Sequence, residues 1–235
     1  MKERWFGHSG DLGDIIYSLP TIRKAGGGVL YLYHHPGRTT HGMNREKVQA
    51  LKELLILQPY IVDVIYSEDK CDHDLNGFRD HYCDGRNLAD MHLATHGFSW
   101  AERTEKWLIV DKSIEEAPVV LNRSFRYNNN KFPWAKVRNI YAGKSIFVGL
   151  MNEWEKFCSE FGFVRYYPTP TLLDVARVIA GSKLFIGNQS CVEAVCEGLK
   201  HNKILEISTP HKDSCMFRRM GAVYGYDEKV EFPEL

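Results

Sequence analysis

The feature that most constrains this chain is an alternation: short β-rich apolar runs follow helical patterns, and the order repeats along most of its 235 residues. RWFGHS reads as a strand, a glycine-bearing loop follows, and a helix runs from about Asp14 to Lys24. GVLYLYHH is a second strand and YIVDVIY a third. Between them, NREKVQALKELLILQ offers Asn44 as a cap and sets Val48, Leu51, Leu54 and Leu55 on one helical face. WLIVD reads as a further strand and KSIEEAP as a linker. The alternation then restarts, with strands VVLNRS, KSIFVGL, KLFIGN and KILEI and helices NEWEKFCSEF, TLLDVARVIAG and SCVEAVCEGLK. Strands alternating with helices build parallel βαβ units. Two such series predict an α/β protein of two parallel-sheet domains, residues 1–115 and 116–235.

Composition fits that division. A chain of this length can bury a core in each of two compact domains. Lys plus Arg is 30 and Asp plus Glu is 30, so the formal net charge is 30 − 30 = 0. No global basic field draws a polyanion; this argues against a dedicated nucleic-acid binder and leaves a local basic patch open. The N-terminal MKERWFGHSG turns polar at once, which is not the pattern of a signal peptide. The most apolar stretch, LLILQPYIVDVIY, is interrupted by Gln58, Pro59 and Asp63, so no membrane span is expected. Six cysteines (71, 83, 158, 191, 196 and 215) form no CxxC and read as the reduced thiols of a cytoplasmic protein.

Two loops carry chemistry-bearing residues. GHSGDLGDIIYSLP places Asp11 and Asp14 in a Gly-rich turn that opens a helix. It lacks the Lys and Ser/Thr of a P-loop. A phosphate cradle, a catalytic loop and a tight strand-to-helix connection all fit those glycines. The second loop, Asn188-Gln189-Ser190, follows an apolar strand ending at Gly187 and opens a helix. At 100° per residue Val192, Val195, Cys196 and Leu199 share one side, and Ser190, Glu193, Ala194 and Glu197 the other. A helix N-terminus is an anion site. Glu193 and Glu197 lie about 4–5 and 10 Å further along the axis, where a carboxylate could hold a ribose diol. A capping Ser190 with a solvated acidic face, Glu197 pairing His201, fits the same spacing. NRSFRYNNNKF sets Arg123, Arg126 and Lys131 in a loop after a strand, where α/β sheets bind ligands and cations neutralise a diphosphate. Tyr127, Phe132 and Trp134 could stack a base or pack beneath that loop.

Residues 67–105 are harder to assign beyond a helix near NLADMHLATHG. Cys71, His73, Asp74, His81, Cys83, Asp84, Asp90, His92 and His96 are metal-ligand types. Their spacing matches no closed zinc motif, although His92 and His96 at i, i+4 would offer a two-ligand geometry. The plainer expectation is a surface region of the first domain.

Taken together the loops resemble glycosyltransferase family 9, the heptosyltransferase-like enzymes of the GT-B fold. That family opens with a strand, a small-residue loop, GD, apolar positions and LP; Gly13-Asp14 and Leu19-Pro20 stand in those places. Its second domain begins with an apolar strand and a polar, often Lys-bearing loop before WP, as in VVLNRSFRYNNNKFPW with Lys131. A GG-like pair after a strand is matched by Val148-Gly149, and lfIGxDSGxxHxAaalgkP by LFIGNQSCVEAVCEGLKHNK. The resemblance spans most of the chain outside residues 67–105. It implies two Rossmann-like domains facing across a cleft, with an acceptor-side first domain and a nucleotide-sugar-binding second domain. Asp14 stands in the place of the acceptor-side base, with Asp11 as runner-up in the same loop. The donor residues implied are Gly13, Arg123, Lys131, Asn188, Gln189, Ser190, Cys191, Glu193 and Glu197. Ser190 followed by Glu193 is similar to the Ser/Thr-then-Glu arrangement of other GT-B enzymes, whose carboxylate holds the ribose.

The implied partners are a nucleotide-sugar and an acceptor the sequence does not identify. No cofactor is implied, and transfer is expected to be inverting and metal-independent, since no DxD-type pair lies near either loop. The family's Asp, Gly and His in the last motif stand here as Gln189, Cys191 and Ala194. Two alternatives follow: a module that binds a nucleotide without catalysis, and an enzyme that glycosylates modified DNA bases across a basic groove.

Overall fold

The computed structural model describes residues 4–35, 42–67, 71–81, 86–211 and 213–235. The chain divides into two compact units, Met1–Val110 with Thr171–Leu173, and Asp111–Pro170 with Asp174–Leu235. The first division falls between Val110 and Asp111, just ahead of the KSIEEAP segment.

Unit 1 is a parallel four-stranded sheet flanked by helices. Its elements in chain order are β1 (Trp5–His8), α1 (Leu12–Lys24), β2 (Gly28–Leu32), α2 (Arg45–Leu55), β3 (Ile61–Tyr66), β4 (His73–Asp74) and α3 (Leu88–Thr95), with a 3-10 turn over Asn76–His81. The strand order is β3-β2-β1-β4, and Phe6 of β1 sits opposite Leu30 on one side and His73 on the other. α1 buries Ile15, Ile16, Leu19 and Ile22. α2 starts where its Asn44 cap accepts the Lys47 N–H at 2.9 Å, and it buries Val48, Leu51, Leu54 and Leu55 as its spacing predicts. At Gly27 (φ +77°) a Cβ would run into the Tyr60 carbonyl, so only glycine closes the turn into β2.

Two expectations for this unit need correction. WLIVD forms no strand; the Gln58 side chain replaces a neighbouring backbone there, donating to the Ile109 carbonyl (3.1 Å) and accepting its N–H (2.8 Å). Among the described residues of the 67–105 stretch, much of the apolar and some of the polar content is interior, not a surface. Leu75, Phe78, Ala89, Met91 and Leu93 are buried, and α3 packs on α1. Polar residues there are interior as well: Asp90 pairs with Arg103 and His92 has no exposed surface.

Unit 2 holds β5 (Val119–Asn122), α4 (Trp134–Ile140), β6 (Ser145–Phe147), α5 (Met151–Phe161), β7 (Arg165–Tyr166), α6 (Leu172–Ala180, apart from its first two residues, which are counted with unit 1), β8 (Leu184–Asn188), α7 (Cys191–Gly198), β9 (Lys203–Glu206) and β10 (Ala222–Gly225). All strands are parallel, in the order β10-β9-β8-β5-β6-β7. β5, β6, β8 and β9 are buried on both faces, the pattern of a sheet covered by helices. Val119, Leu121, Phe147, Leu184, Ile186 and Ile204 pack with Trp134, Tyr141 and Phe157. Among the described residues no helix is long and apolar enough to cross a membrane.

Candidate active site

In an open parallel sheet, ligands bind beyond the carboxyl ends of the strands where the strand order reverses direction. Each unit has one such point. In unit 1 the chain runs outward from β1 through β2 to β3 and then returns to place β4 on the other side of β1. Asn76, just past β4, joins the two sides: its Oδ1 accepts the Ser9 N–H and Oγ–H, both at 2.8 Å, and its Nδ2 donates to Tyr33 Oη at 2.8 Å. The loop from Ser9 to Asp14 therefore leaves the sheet at the switch point.

Asp11 is the N-cap of α1, and its N–H donates to Asp14 Oδ2 at 3.3 Å. Gly13 lies beside Asp14 in the first helical turn. The Asp14 side chain keeps 13% of its surface exposed and ion-pairs with Arg79 Nη2 at 2.6 Å. Burial raises its proton affinity above that of an ordinary aspartate; Arg79 works in the opposite direction, and Asp11 adds to the rise. A partly exposed carboxylate with raised proton affinity is what proton abstraction near neutral pH uses. Sequence reasoning missed Asn76 and Arg79, both in the weakly patterned 67–105 region.

Among the described residues no group of three His, Cys, Asp or Glu side chains could hold an ion. Cys83 and Asp84 lie outside the described residues, as does the His81 side chain. His92, instead of pairing with His96 at a surface, stacks on Phe78 with ring centroids 4.1 Å apart.

In unit 2 the reversal lies between β5 and β8. Asn122, the last residue of β5, accepts the Ser190 hydroxyl at 2.9 Å and donates to the Val148 carbonyl at 2.9 Å. One side chain thus ties the ends of β5, β6 and β8 together. Ser190 is the N-cap of α7, accepting the Glu193 N–H at 3.3 Å, and Cys191 begins the helix, partly exposed. Gly149 follows β6 at φ +136°, and a Cβ there would lie 2.7 Å from Asn122 Nδ2 and 3.0 Å from Glu153 Oε2. Glu153 sits in the first turn of α5, accepts the Leu150 N–H at 3.0 Å and has its proton affinity raised by burial. Its carboxylate therefore shares the switch point with Ser190, and sequence periodicity did not single it out.

The other sequence-selected residues have structural partners. Asn188 binds across the loop after β5, accepting the Ser124 N–H (2.9 Å) and donating to the Arg126 carbonyl (2.6 Å). Gln189 accepts the Ser208 N–H (2.9 Å) and donates to Ser214 Oγ (3.0 Å). Arg123 is not a free loop cation: it is buried against Glu206 (3.2 Å) and Glu160 (3.0 Å). Glu206, the last residue of β9, also accepts the Trp134 Nε1–H at 2.8 Å and the Asn129 N–H at 2.5 Å, fixing the same loop. Phe132 and Trp134 belong to the core, while Lys131 remains exposed.

Glu193 and Glu197 do not face away from the fold, because α7 is buried on both sides. Glu193 pairs with Lys203; Glu197 pairs with Lys203 (2.8 Å), Lys200 (2.7 Å) and Arg219 (3.0 Å), not with His201. Burial works to raise the Glu197 proton affinity, but the three cations outweigh it and keep the carboxylate ionised. Lys203 is likewise held charged against its burial by the two carboxylates.

No protein-family model matches the chain, and no curated protein matches it in sequence. Solved structures do match its fold. E. coli heptosyltransferase WaaC with ADP-2-deoxy-2-fluoro heptose superposes with a TM-score of 0.62 at 10% identity, covering 95% of this chain and 93% of WaaC. The glycosyl transferase family 9 structure from Veillonella parvula DSM 2008 gives 0.64 at 13% identity, covering 95% of this chain and 85% of that one. TibC, the iron-containing dodecameric glycosyltransferase from enterotoxigenic E. coli H10407, gives 0.58 at 14% identity, covering 96% of this chain and 63% of TibC. The fold is therefore the two-sheet α/β class of GT-B glycosyltransferases, as the sequence motifs implied.

Proposed function

We propose that this chain is a glycosyltransferase that moves a sugar from a nucleotide-sugar to an acceptor hydroxyl. The observation that carries this reading is the switch point of unit 2, where Asn122, Ser190, Gly149 and Glu153 converge at the N-terminus of α7. Backbone N–H groups and the helix dipole there suit a diphosphate. Glycine at 149 leaves room for close approach, and exposed Lys131 supplies a cation. Glu153, half-buried and held by the Leu150 and Phe125 backbone, takes the ribose-holding role first expected of Glu193 and Glu197. The donor bound by WaaC, an ADP-linked heptose analogue, supports an ADP-sugar as the first to test.

In this reading unit 1 supplies the base. The acceptor oxygen forms a bond to the anomeric carbon while that carbon's bond to phosphate oxygen breaks. The acceptor proton passes to Asp14, and the electron pair leaves with the nucleoside diphosphate, inverting the anomeric centre. Lys131 and the α7 dipole would offset the departing charge, so we propose no divalent ion; restoration by manganese of activity lost to a chelator would reverse this. A cytoplasmic location is proposed on the reduced-thiol composition.

Calorimetric titration of ADP tests the donor site. Losing a charge-assisted hydrogen bond should weaken binding about 10- to 100-fold in Glu153→Gln, and a comparable loss is expected in Ser190→Ala. Unchanged affinity in both variants would sink the assignment. ADP binding without any hydrolysis or transfer from ADP-sugars would instead favour the non-catalytic module.

A further inference from the structure

Asp14 is held from two directions by one contiguous stack of side chains in unit 1. On its solvent side, Arg79 Nη2 lies 2.6 Å from Asp14 Oδ2. The guanidinium carbon rests 4.4 Å from the Phe78 ring centroid, and Phe78 stacks on His92 at 4.1 Å. The His92 ring lies 5.3 Å from that of His8, whose Nδ1 accepts the Gly10 N–H at 2.8 Å. Gly10 closes the circuit: a Cβ on it would lie 2.5 Å from the His8 ring and 2.9 Å from Asp14 Oδ2. The backbone of the Asp14 loop is thus seated on His8, while its carboxylate is gripped by Arg79.

We propose that Arg79 is the positioning residue for Asp14, its guanidinium braced on Phe78 so that the carboxylate stays charged and in one orientation. The proposal rests on reading Asp14 as the base. Among the described residues, the titratable and charged groups facing Asp14 are Arg79 from the 3-10 turn, Asp11 from its own loop, His8 from β1 and His92 from α3. His8 and His92 are kept neutral by burial, and Asp11 disfavours a second negative charge. Arg79 is therefore the one cation in the set. Its side chain is 48% exposed, so replacing it removes charge without opening the core.

The test is carboxyl NMR on protein labelled with 13C at the aspartate side chains, with Asp14→Asn assigning the signal. Arg79→Met should move the Asp14 titration midpoint upward by about one pH unit, the low end of what a neighbouring opposite charge does. Arg79→Lys should restore most of the shift, and Arg79→Gln serves if the Met variant folds poorly. In the hydrolysis of an ADP-sugar, the acid limb of the rate profile should move with the NMR midpoint. An unmoved midpoint in Arg79→Met or Arg79→Gln would overturn the proposal. A moved midpoint in a protein that turns over no nucleotide-sugar would leave Arg79 assigned and defeat the transferase reading.

Discussion

Acid should destabilise this protein through two histidines that carry no charge in the fold. His8 and His92 are fully buried. His8 Nδ1 accepts the Gly10 N–H, but its Nε2 has no hydrogen-bond partner, and the His92 ring is approached by the Asp14 backbone alone. Protonation would add a donor to the His8 ring with nothing placed to receive it. Burial, then the Arg79 charge, hold His8 down to about 3 from 6.5, with Asp74 opposing weakly. Burial, then His8, His96 and Arg79, hold His92 well below its usual value, with the Asp14 backbone opposing. The sign follows from linkage: above 6.5 neither state takes the proton and nothing changes. As pH falls from 6.5 towards 3, the unfolded chain gains a proton that the native ring refuses, so stability is lost. At a pH of about 4.5 the unfolded imidazole is roughly two units below its pKa, so His8 alone costs about 2.7 kcal/mol. The cost at His92 has the same sign and adds to that of His8. Urea titrations across this range on wild type, His8→Asn and His92→Phe would measure it. A phenylalanine at 92 continues the stack on Phe78 and removes a buried polar ring, so it should destabilise little at neutral pH. Towards the acid end its stability should exceed that of wild type by a margin that grows as pH falls. Ion-paired carboxylates also lose stability in acid, but they do so in both proteins, so the difference isolates the ring. Parallel pH dependences for wild type and His92→Phe would refute a neutral imidazole there.

Other substitutions probe the remaining parts. Lys203→Met strips the cation shared by Glu193 and Glu197, both fully buried, so chemical denaturation should show a loss of about 3–5 kcal/mol. Gly149→Ala puts a Cβ against Asn122 and Glu153 at a positive φ; ADP affinity should fall about 10-fold, the equivalent of roughly 1.4 kcal/mol, by calorimetry. Asp14→Asn should cut turnover about 10²–10⁴-fold. The same change should raise the melting temperature at neutral pH, because burial lifts the native Asp14 pKa above the unfolded one and the charged form is disfavoured in the fold. That gain should vanish in melts below the unfolded pKa, where both states are protonated.

The sheet-forming runs were legible because parallel strands are buried on both faces and read as continuous apolar segments; β2, β5 and β8 are of this kind. β4 and β7 span two residues each and β10 shows only partial burial, so their sequences carry no such signal. WLIVD was misleading because its composition suits a strand while side chains distant in sequence, Gln58 at Ile109 and Tyr60 at Trp107, supply its hydrogen bonds. Asp14 was singled out through its neighbours in a local loop. Arg79 and Asn76 reach that loop from the far side of β1, and no local pattern announces such a return.

Helix α7 shows why the donor side was harder to read. Its periodicity correctly separated Val192, Val195 and Cys196 from Glu193 and Glu197, but periodicity does not say whether the second face is covered. The cover comes from Lys203 at the start of β9 and from Arg219 in the irregular segment before β10. Lys203 sits in an apolar run, KILEI, where a lysine reads as a solvated strand end; in the fold it has no exposed surface at its side chain. Two carboxylates on successive turns are thereby neutralised within the protein, and α7 is anchored along its length. The consequence for binding is physical. A helix held by three cations offers its N-terminal amides in a fixed orientation, so little ordering has to be done when an anion arrives. The carboxylates that hold it are unavailable to a ribose, since freeing either would leave Lys203 partly unpaired in the core. The recognition of a nucleotide-sugar proposed for this unit therefore falls to the backbone at Ser190, to Lys131 and to Glu153.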